Sequence, residues 1–246
     1  MMRLKKCLIA AGAIGAMFST PTAHAFEGFY VGLMGGVVVP SNFSSNAKLG
    51  EIDLPPLTQV ATPIFADIKT KVGGQGMVAL GYRNGNIRVE GEFFYARASH
   101  NNILVGNRRV PNDTDKLRYK GYTEGFGALA NVYFDFTNFI SEPHGVGLIP
   151  YVGAGVGFAN IRNKIDLREV KEVGPASAVQ APRSINFTVS DSAVAFQGIV
   201  GLAYYLDSDT SFNIDYRYLA TGNLSTMNSS YSHSSLNIGF NFGFYG

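Results

Sequence analysis

The chain has little cysteine, no tryptophan and no long hydrophobic run. Its 246 residues include one cysteine, Cys7, near the N-terminus, and no tryptophan. A single cysteine excludes an intramolecular disulfide. No segment approaches the roughly 18 consecutive apolar residues that identify a transmembrane helix. A chain of this kind can cross a membrane only as a closed β-barrel, because lipid leaves no other way to satisfy the backbone.

The N-terminal segment has the three parts of a secretory signal peptide. Arg3, Lys5 and Lys6 form a basic start, and residues 8–18 are apolar. Residues 23–25, Ala-His-Ala, then form a small-x-small cleavage site. The apolar run is too short to span a bilayer, which needs about 20 residues. The segment is therefore predicted to direct export and to be removed.

Cleavage would leave a mature domain, residues 26–246, without the signal peptide of residues 1–25. The mature domain carries 17 Lys and Arg against 18 Asp and Glu, so the nominal charge of +2 becomes −1. A nucleic-acid partner is therefore not indicated. Cys7 is lost with the signal peptide. An exported domain without a disulfide needs another source of stability, and a closed hydrogen-bonded barrel would supply it.

Helical periodicity is also scarce, and apolar residues instead alternate with small or polar residues. The alternation recurs in eight segments of roughly 9 to 14 residues, which is typical of half-buried strands. They are residues 29–39, 71–82, 87–97, 122–136, 149–160, 191–205, 210–220 and the C-terminal stretch 234–246. Asn84-Gly85 is a tight hairpin turn between the second and third segments.

The links between these segments tend to alternate between long and short. The links after the first, third and fifth segments are several times longer than those after the second and sixth, and bacterial transmembrane barrels likewise combine short periplasmic turns with long external loops. The fourth link is longer than this pattern requires. We predict an all-β fold, an eight-stranded antiparallel up-and-down transmembrane β-barrel with long extracellular loops. A soluble lipocalin-like barrel and a β-sandwich are the alternatives.

Charged residues on the polar face are concentrated on two strands and include both signs. They are Arg88, Glu90 and Glu92 on the third predicted strand, and Asp215 and Arg217 on the seventh. An eight-stranded barrel has an interior that side chains just fill, and buried charges must be paired. We therefore predict an ion-pair network in the lumen. It has two interpretations, a gate for small ions or a polar core that only satisfies itself.

Patterns typical of enzymes are weak in this chain. Residues 74–79 match a G-x-G-x-x-A pattern, but they lie in a strand-like segment and no helix follows. His233 within Ser232–Ser235, together with His100, is the only hydrolase candidate, and it lacks a group to orient the base. No P-loop and no Cys/His metal spacing occurs. We predict no catalytic site, no cofactor and no metal.

The mature chain resembles the small OmpA-like or opacity-protein-like eight-stranded outer-membrane barrels of Gram-negative bacteria, which include surface antigens. The likeness rests on "FYVGLMGG", "YVGAGVG" and the C-terminal strand. Asn237, Gly239, Phe242 and Phe244 resemble the C-terminal assembly signature of such barrels, although Tyr245-Gly246 follows them. The resemblance implies a multi-pass protein of the cell outer membrane that contacts lipid, lipopolysaccharide and the barrel assembly machinery.

The resemblance implies a fold and a location but no activity. Our leading hypothesis is a non-enzymatic outer-membrane surface protein whose loops mediate adhesion or other contacts with a host or environmental ligand. A narrow or gated porin-like channel and a rim-site outer-membrane lipid hydrolase are the alternatives. Arg108 and Arg109, adjacent in a predicted loop, are the surface-contact candidates. They are interpreted either as a site for lipopolysaccharide phosphate or sulfated glycan, or as ordinary solvated charge. We expect a monomer.

Overall fold

A computed structural model describes most of the predicted mature domain. The described residues are 27–41, 43–45, 66–105, 108–110, 117–137, 147–169, 184–207, 209–227 and 229–244. The predicted signal peptide and Tyr245-Gly246 lie outside them. No helix in the described part of the chain is both long and apolar enough to cross a membrane.

The described residues form eleven β-strands. They are β1 (Gly28–Pro40), β2 (Phe43–Ser45), β3 (Ala66–Thr70), β4 (Gly73–Asn84), β5 (Ile87–Val105), β6 (Arg108–Val110), β7 (Leu117–Asp135), β8 (Gly147–Glu169), β9 (Ser184–Tyr205), β10 (Thr210–Thr221) and β11 (Ser232–Phe244). Eight of them pair antiparallel in the order β1-β4-β5-β7-β8-β9-β10-β11. β11 then pairs back with β1, from Phe29 opposite Phe244 to Pro40 opposite His233. The predicted closed eight-stranded barrel is confirmed.

An apolar belt surrounds the outside of the barrel because alternate side chains of each strand point outward. Large apolar residues in it are strongly exposed, and Phe93 and Phe158 each keep 69% of their surface. Water would penalise such exposure, so the belt is the surface that contacts lipid. Its limit on the side of the long links runs through Val39, Tyr95, Phe126, Phe158, Val194, Tyr218 and Leu236. We call the side beyond this limit the outer end.

Four barrel strands continue well beyond the belt, and here the predicted strand limits are wrong. β5 ends at Val105 instead of Arg97, and β8 ends at Glu169 instead of Asn160. β9 begins at Ser184, before the predicted Asp191. The backbone ladder between β8 and β9 does not depend on side-chain polarity, so it continues where the apolar alternation stops. Much of the predicted second and third long loops is therefore barrel wall.

The outer parts of β5, β7, β8 and β9 form a sheet that we call the projecting wall. β3 pairs with the outer part of β5, β2 pairs with β3, and β6 forms a hairpin with the end of β5. From Phe158 to Glu169 the chain rises roughly 3.3 Å per residue, so the wall extends about 35 Å along the strand beyond the belt. β1, β10 and β11 end close to the belt, at Pro40, Thr221 and Ser232.

Candidate functional site in the barrel lumen

The five charged residues predicted for the lumen all lie inside the barrel. Arg88, Glu90 and Glu92 occupy alternate positions of β5, and Asp215 and Arg217 occupy alternate positions of β10. Residues two apart on a strand share one face, and here that face is the interior. Their side chains are buried, with Arg88 only 2% exposed and Asp215 only 1% exposed.

An ion pair joins opposite walls of the barrel. The Nη1 atom of Arg217, on β10, donates to Oε2 of Glu92, on β5. Three strands separate β5 from β10 in either direction around the barrel. Arg217 also donates from Nη2 to Oδ2 of Asp215 at 2.8 Å and from Nε to Oδ1 at 3.0 Å. The guanidinium therefore lies across the lumen between two carboxylates.

Neutral amides complete the hydrogen bonding of Glu92. Asn131, on β7, donates to Oε2 of Glu92 at 3.2 Å. Gln197, on β9, donates to Oδ1 of Asn131 at 2.7 Å and to Oε1 of Glu92 at 3.4 Å. These bonds tie β7 and β9 to the ion pair. A buried charge is tolerated only when its remaining lone pairs are satisfied, and the amides do this without adding charge.

The carboxylate on the other side of Arg217 is held in the same way. Asn237, on β11, donates to Oδ1 of Asp215 at 2.9 Å, and Gln75, on β4, donates to Oδ1 of Asn237 at 2.6 Å. Asn237 is one of the four residues of the predicted assembly signature. The structure thus gives it a contact in the lumen network.

The other three residues of that signature lie on both faces of β11. Phe242 and Phe244 face lipid, with 42% and 55% of their surfaces exposed. Gly239 faces inward, where an added Cβ would lie 2.3 Å from the carbonyl oxygen of Leu33. A larger residue there would collide with the backbone of β1. Recognition of this strand by the assembly machinery stays a prediction.

A second cluster of charges lies nearer the opposite end of the barrel from the projecting wall. Arg88 Nε contacts Asp135 at 2.9 to 3.0 Å, and Arg83 Nη2 contacts the same carboxylate at 2.8 Å. Arg88 Nη1 is 3.5 Å from Glu90, which also accepts a hydrogen bond from the Tyr30 hydroxyl. Glu90 therefore pairs within its own strand, and Asp135 supplies the contact from β7.

Sequence reasoning missed Arg83 and Asp135 as members of this cluster. Both stand at the ends of their strands, Arg83 just before the Asn84-Gly85 turn and Asp135 at the end of β7. Period-two counting could have found them. Asp135 has the same parity as Asn131, a polar residue of the same predicted strand.

Two tyrosine rings stack on Arg88 and occupy the space that glycine leaves. The Arg88 guanidinium lies 4.5 Å from the ring centroid of Tyr133 and 4.7 Å from that of Tyr151. A Cβ on Gly153 would lie 2.5 Å from the Tyr133 ring, and one on Gly201 would lie 2.5 Å from the Tyr151 ring. The glycines of the polar face are thus paired with aromatic rings from neighbouring strands. They let an eight-stranded lumen hold rings and guanidinium groups together.

Between the two clusters the lumen keeps a cavity of about 10 Å³. That volume is about enough for one water molecule. Arg88, Glu90 and Arg217 are among its lining residues. Within the described residues, this level of the barrel is packed with side chains and does not form an open channel.

A second closure lies at the outer end, where residues 222–231 fold into the barrel mouth. We call this segment the outer plug; residue 228 is outside the described residues. Leu224 and Met227 are 0% exposed and Tyr231 is 4% exposed. Leu224 N donates to the Ser229 carbonyl at 2.9 Å, which closes the segment on itself. Three large side chains of a Ser-rich link are thus buried inside the mouth.

Polar contacts attach the outer plug to the wall. Asp191, on β9, accepts hydrogen bonds from the backbone N–H of Thr226 at 2.6 Å and of Ser192 at 2.8 Å. The bond from Thr226 is the main reason that the pKa of the Asp191 carboxyl lies below its usual value. On the neighbouring strand β8, Asn163 contacts the Met227 sulfur at 3.6 Å.

Two histidines are buried beside the plug, beyond the limit of the belt. Burial lowers the pKa of both His100 and His233 to about 4. His100 Nε2 is 2.8 Å from Oγ1 of Thr123, which donates to Asn163 at 2.6 Å. His233 Nδ1 is buried and has no hydrogen-bond partner among the described residues. Both rings are therefore neutral near pH 7.

The hydrolase candidate does not assemble in the described structure. The Ser234 hydroxyl is 2.8 Å from the Tyr216 hydroxyl, and Ser232 bonds to Ser41 at 3.0 Å. His100 and His233 lie on β5 and β11, which are not neighbours. A triad needs a serine in contact with its base, whereas Ser234 and Ser232 are bonded to the hydroxyls of Tyr216 and Ser41. The described residues also contain no group of three His, Cys, Asp or Glu that could hold a metal.

Arg108 and Arg109 occur in β6, at the tip of the projecting wall. β6 pairs with the end of β5, with Arg108 opposite Val105 and Arg109 opposite Leu104. The structure describes only their backbone. Their location at the outermost part of the described barrel is compatible with either interpretation of the pair.

Replacing Arg217 with methionine should destabilise the barrel by about 3–5 kcal/mol, because Glu92 and Asp215 would lose their shared counterion. Arg97→Met is the matched control, since Arg97 has an exposed side chain and pairs with Glu124 at 3.7 Å. Exposed pairs contribute roughly 0–1 kcal/mol. Urea unfolding in lipid vesicles measures both variants. Equal stability of the Arg217 variant and the wild type would contradict the assignment, and adding Glu92→Gln and Asp215→Asn should restore most of the loss.

Acid should loosen the outer plug. An open plug lets His100 and His233 titrate near the usual 6.5, whereas the closed form holds their pKa near 4. The open form therefore binds more protons as pH falls below about 6.5, and the closed form loses stability until about pH 4. Asp191 stays charged over this range because its pKa is lowered.

Hydrogen exchange of the backbone amides in the outer plug, corrected for intrinsic rates, measures this effect. Protection at pH 5 should be roughly ten-fold or more below that at pH 7. The His100→Gln/His233→Gln variant should lose the pH dependence. Protection that is equal at both pH values in the wild type would contradict the prediction.

Comparison with known proteins identifies the family of the chain. The sequence model of the outer membrane protein beta-barrel domain family matches residues 8–244 of the chain. No curated protein matches the sequence. Among solved structures, OprG of Pseudomonas aeruginosa is 12% identical, with a TM-score of 0.52 over 91% of this chain and 99% of its own.

Two further solved structures are similar over most of the chain. Neisserial surface protein A is 16% identical, with a TM-score of 0.46 over 91% of this chain and 100% of its own. Ail of Yersinia pestis is 12% identical, with a TM-score of 0.42 over 88% of this chain and 100% of its own. Such low identities bear on the fold alone. The family match shows that the chain belongs to the outer membrane protein beta-barrel domain family, and its strands cross the outer membrane several times.

Proposed function

We propose that the protein is a closed, non-enzymatic surface barrel that displays its outer loops for adhesion or other surface contacts. The observation that carries the proposal is the ion pair between Arg217 and Glu92, which joins opposite walls of the lumen. Tyrosine rings and amides fill the space around it. A lumen occupied in this way serves to hold the wall rigid, and the outer end is then the part of the molecule that contacts other surfaces.

The projecting wall supports a role in contact with other surfaces. Four barrel strands continue past the belt. The pairing between two of them, β8 and β9, extends as far as Arg168 opposite Ser184. The ends of β2, β3, β8 and β9, which border residues 46–65 and 170–183 in the sequence, therefore lie away from the lipid. Binding residues are commonly placed on loops that a rigid scaffold positions. Arg108 and Arg109, at the tip of β5 and β6, are the residues that we propose to contact a host or environmental ligand.

A gated channel is the second candidate, and the charged lining of the small lumen cavity favours it. Arg217 and Glu90 both border that cavity. Conduction would require the Arg217 bridge to break and the outer plug to leave the mouth. Both steps expose buried groups, so we rank the channel below the closed barrel. A rim-site lipid hydrolase is the third candidate, and we rank it last because Ser232 and Ser234 bond to other hydroxyl groups.

The closed barrel should be silent in planar bilayers, because the ion pair and the outer plug block the lumen at two levels. We expect no stepwise current from the wild type, nor from a variant in which residues 222–231 are replaced by a short Gly-Ser turn. A large porin in the same bilayer is the positive control. Arg217→Ala is measured in the same way. Reproducible current steps from the wild type would favour the channel, and so would current steps that appear only in the Arg217→Ala variant.

Shortening the outer links should reduce adhesion while the barrel stays folded. Bacteria displaying the wild type should bind host cells or glycan-coated surfaces better than bacteria whose links at residues 46–65 and 170–183 are replaced by short Gly-Ser segments. Links of the same length with scrambled sequence are the control, and Arg108→Ala/Arg109→Ala tests the tip. Surface display is matched with an antibody. Equal binding by all these strains would contradict the adhesion proposal.

A further inference from the structure

Within the described part of the chain, one side of the projecting wall ends in a strand edge without a neighbouring strand. β8 pairs with β9 over the full length of β9, from Ser184 to Tyr205. β10 pairs with β9 only between Ala195 and Tyr205. The stretch from Ser184 to Val194 therefore has a described strand partner on its β8 side alone. The opposite side of the wall differs, because β3 and β2 cover the edge of β5 there.

The outer plug covers only the lowest part of this edge. Gly222 N donates to the carbonyl of Val194 at 2.8 Å, and Thr226 N donates to the side chain of Asp191 at 2.6 Å. After these contacts the plug folds into the barrel mouth. We call residues 184–190, which lie beyond both contacts, the free edge.

Backbone donors and acceptors of the free edge point away from β8. Alternate residues of a strand direct their N–H and C=O groups to opposite sides. The carbonyl of Val194 points to the β10 side, so Asn186, Thr188 and Ser190 direct both of their groups to that side. The odd-numbered residues between them direct theirs to β8. All three even-numbered residues are exposed, so an additional strand can reach this row of backbone groups.

The free edge carries none of the features that usually prevent such pairing. Exposed edges are commonly protected by a lysine, a proline or a β-bulge. Residues 184–190 contain no charged residue, no proline and no glycine. Their pairing with β8 continues without a bulge. An edge of this kind is a binding site for an extended chain, which adds to the sheet as a further strand.

The sequence of the free edge is complementary to itself in the antiparallel direction. It reads Ser-Ile-Asn-Phe-Thr-Val-Ser, so polar and apolar residues follow in the same order from either end. With residue 187 opposite residue 187 of a second copy, Asn186 is opposite Thr188, and Ser184 is opposite Ser190. Residues opposite each other project to the same face of a sheet, so polar residues meet polar ones and apolar residues meet apolar ones. The partner that fits this edge is therefore a second copy of the chain.

Strand direction decides where the second copy must be. All copies in one membrane have the same orientation, so their β9 strands run in the same sense and cannot pair antiparallel. A copy in a facing membrane is inverted, and its β9 runs in the opposite sense. Residue 187 lies roughly 23 Å along the strand beyond Val194, which is at the limit of the belt. Two facing barrels thus bring their free edges together when their membranes are roughly 45 Å apart.

We propose that the free edge pairs with the free edge of a second copy in a facing outer membrane, so that the barrel joins cells or vesicles that carry it. Backbone groups of Asn186 bond to those of Thr188 in the other copy, and Ser184 bonds to Ser190 in the same way. The proposal names a partner for the surface role proposed above and rests on it, but it uses β9 instead of β6 or the links. Within one membrane the expected monomer is retained.

The test is clustering of lipid vesicles that contain the purified barrel and no other protein, measured by dynamic light scattering. Thr188→Pro removes an N–H group that the free edge offers, whereas the hydrogen bonds to β8 are made by the odd-numbered residues and remain. Thr188→Val is the matched control, because valine keeps the N–H group and suits a strand. Heat-modifiable migration on gels establishes that each variant is folded.

The wild type and Thr188→Val should cluster the vesicles, and Thr188→Pro should lose the clustering. Bacteria carrying Thr188→Pro should still bind host cells or glycan-coated surfaces as the wild type does, so failure of edge pairing is distinguishable from failure of the adhesion proposal. Absence of clustering with the wild type would overturn the inference, as would clustering that persists with the proline variant. Clustering that requires an added host protein assigns the edge to a strand of that protein, and the inference is then wrong.

Disulfide formation between two vesicle populations tests the register. The predicted mature domain has no cysteine, so one population carries Asn186→Cys and the other carries Thr188→Cys. Opposite residues of a bonded pair have their Cα atoms about 5.5 Å apart, which a disulfide can bridge. Thr188→Cys with Ser190→Cys is the matched control, because these positions are roughly 13 Å out of register. Cross-linked dimers should form with the first pair only, and equal yields from both pairs would contradict the pairing.

Discussion

The contact between Glu92 and Arg217 is the constraint on which the interior depends. Either charge alone in this surrounding would cost several kcal/mol, so neither side chain can leave without the other. Because β5 and β10 are on opposite walls, their bond limits how far the barrel can widen. The amides of Asn131 and Gln197 then have fixed positions, since they complete the hydrogen bonds of the Glu92 carboxylate.

The glycine-rich inner face follows from the same requirement. An eight-stranded barrel has little interior volume, and at this level it must hold the Arg88 guanidinium together with the rings of Tyr133 and Tyr151. The residues paired with these tyrosines on the neighbouring strands are therefore Gly153 and Gly201, where a Cβ would overlap a ring. The inner face of β11 is polar but uncharged for a related reason. Its Asn237 supports Asp215, and a charged residue at that position would disturb the balance around Arg217.

The apolar alternation was sufficient to predict the strand number, the belt and the five lumen charges, because lipid on one side forces a strict period of two. The same reasoning explains the failures. Beyond the belt lipid no longer covers the outer face of the wall, so the alternation ends while the strands continue to Glu169 and Ser184. Period-two counting could have placed Asp135 on the polar face, but its pairing with Arg88 was not predictable, because the residue opposite Arg88 is Tyr133, two positions away. The outer plug was missed because Leu224 and Met227 are isolated apolar residues in a polar link.

The limit of the belt divides the barrel into parts that obey different electrostatics. Inside the lumen, charges are separated from water and must be paired, so their number and positions are restricted. On the projecting wall, water screens exposed charges, and cations such as Arg162 and Lys164 cost little. Substitutions on the wall therefore need not disturb the lumen, whereas one change at Arg217 affects every strand that it bridges. A scaffold with this division can vary its outer surface while its interior remains the same.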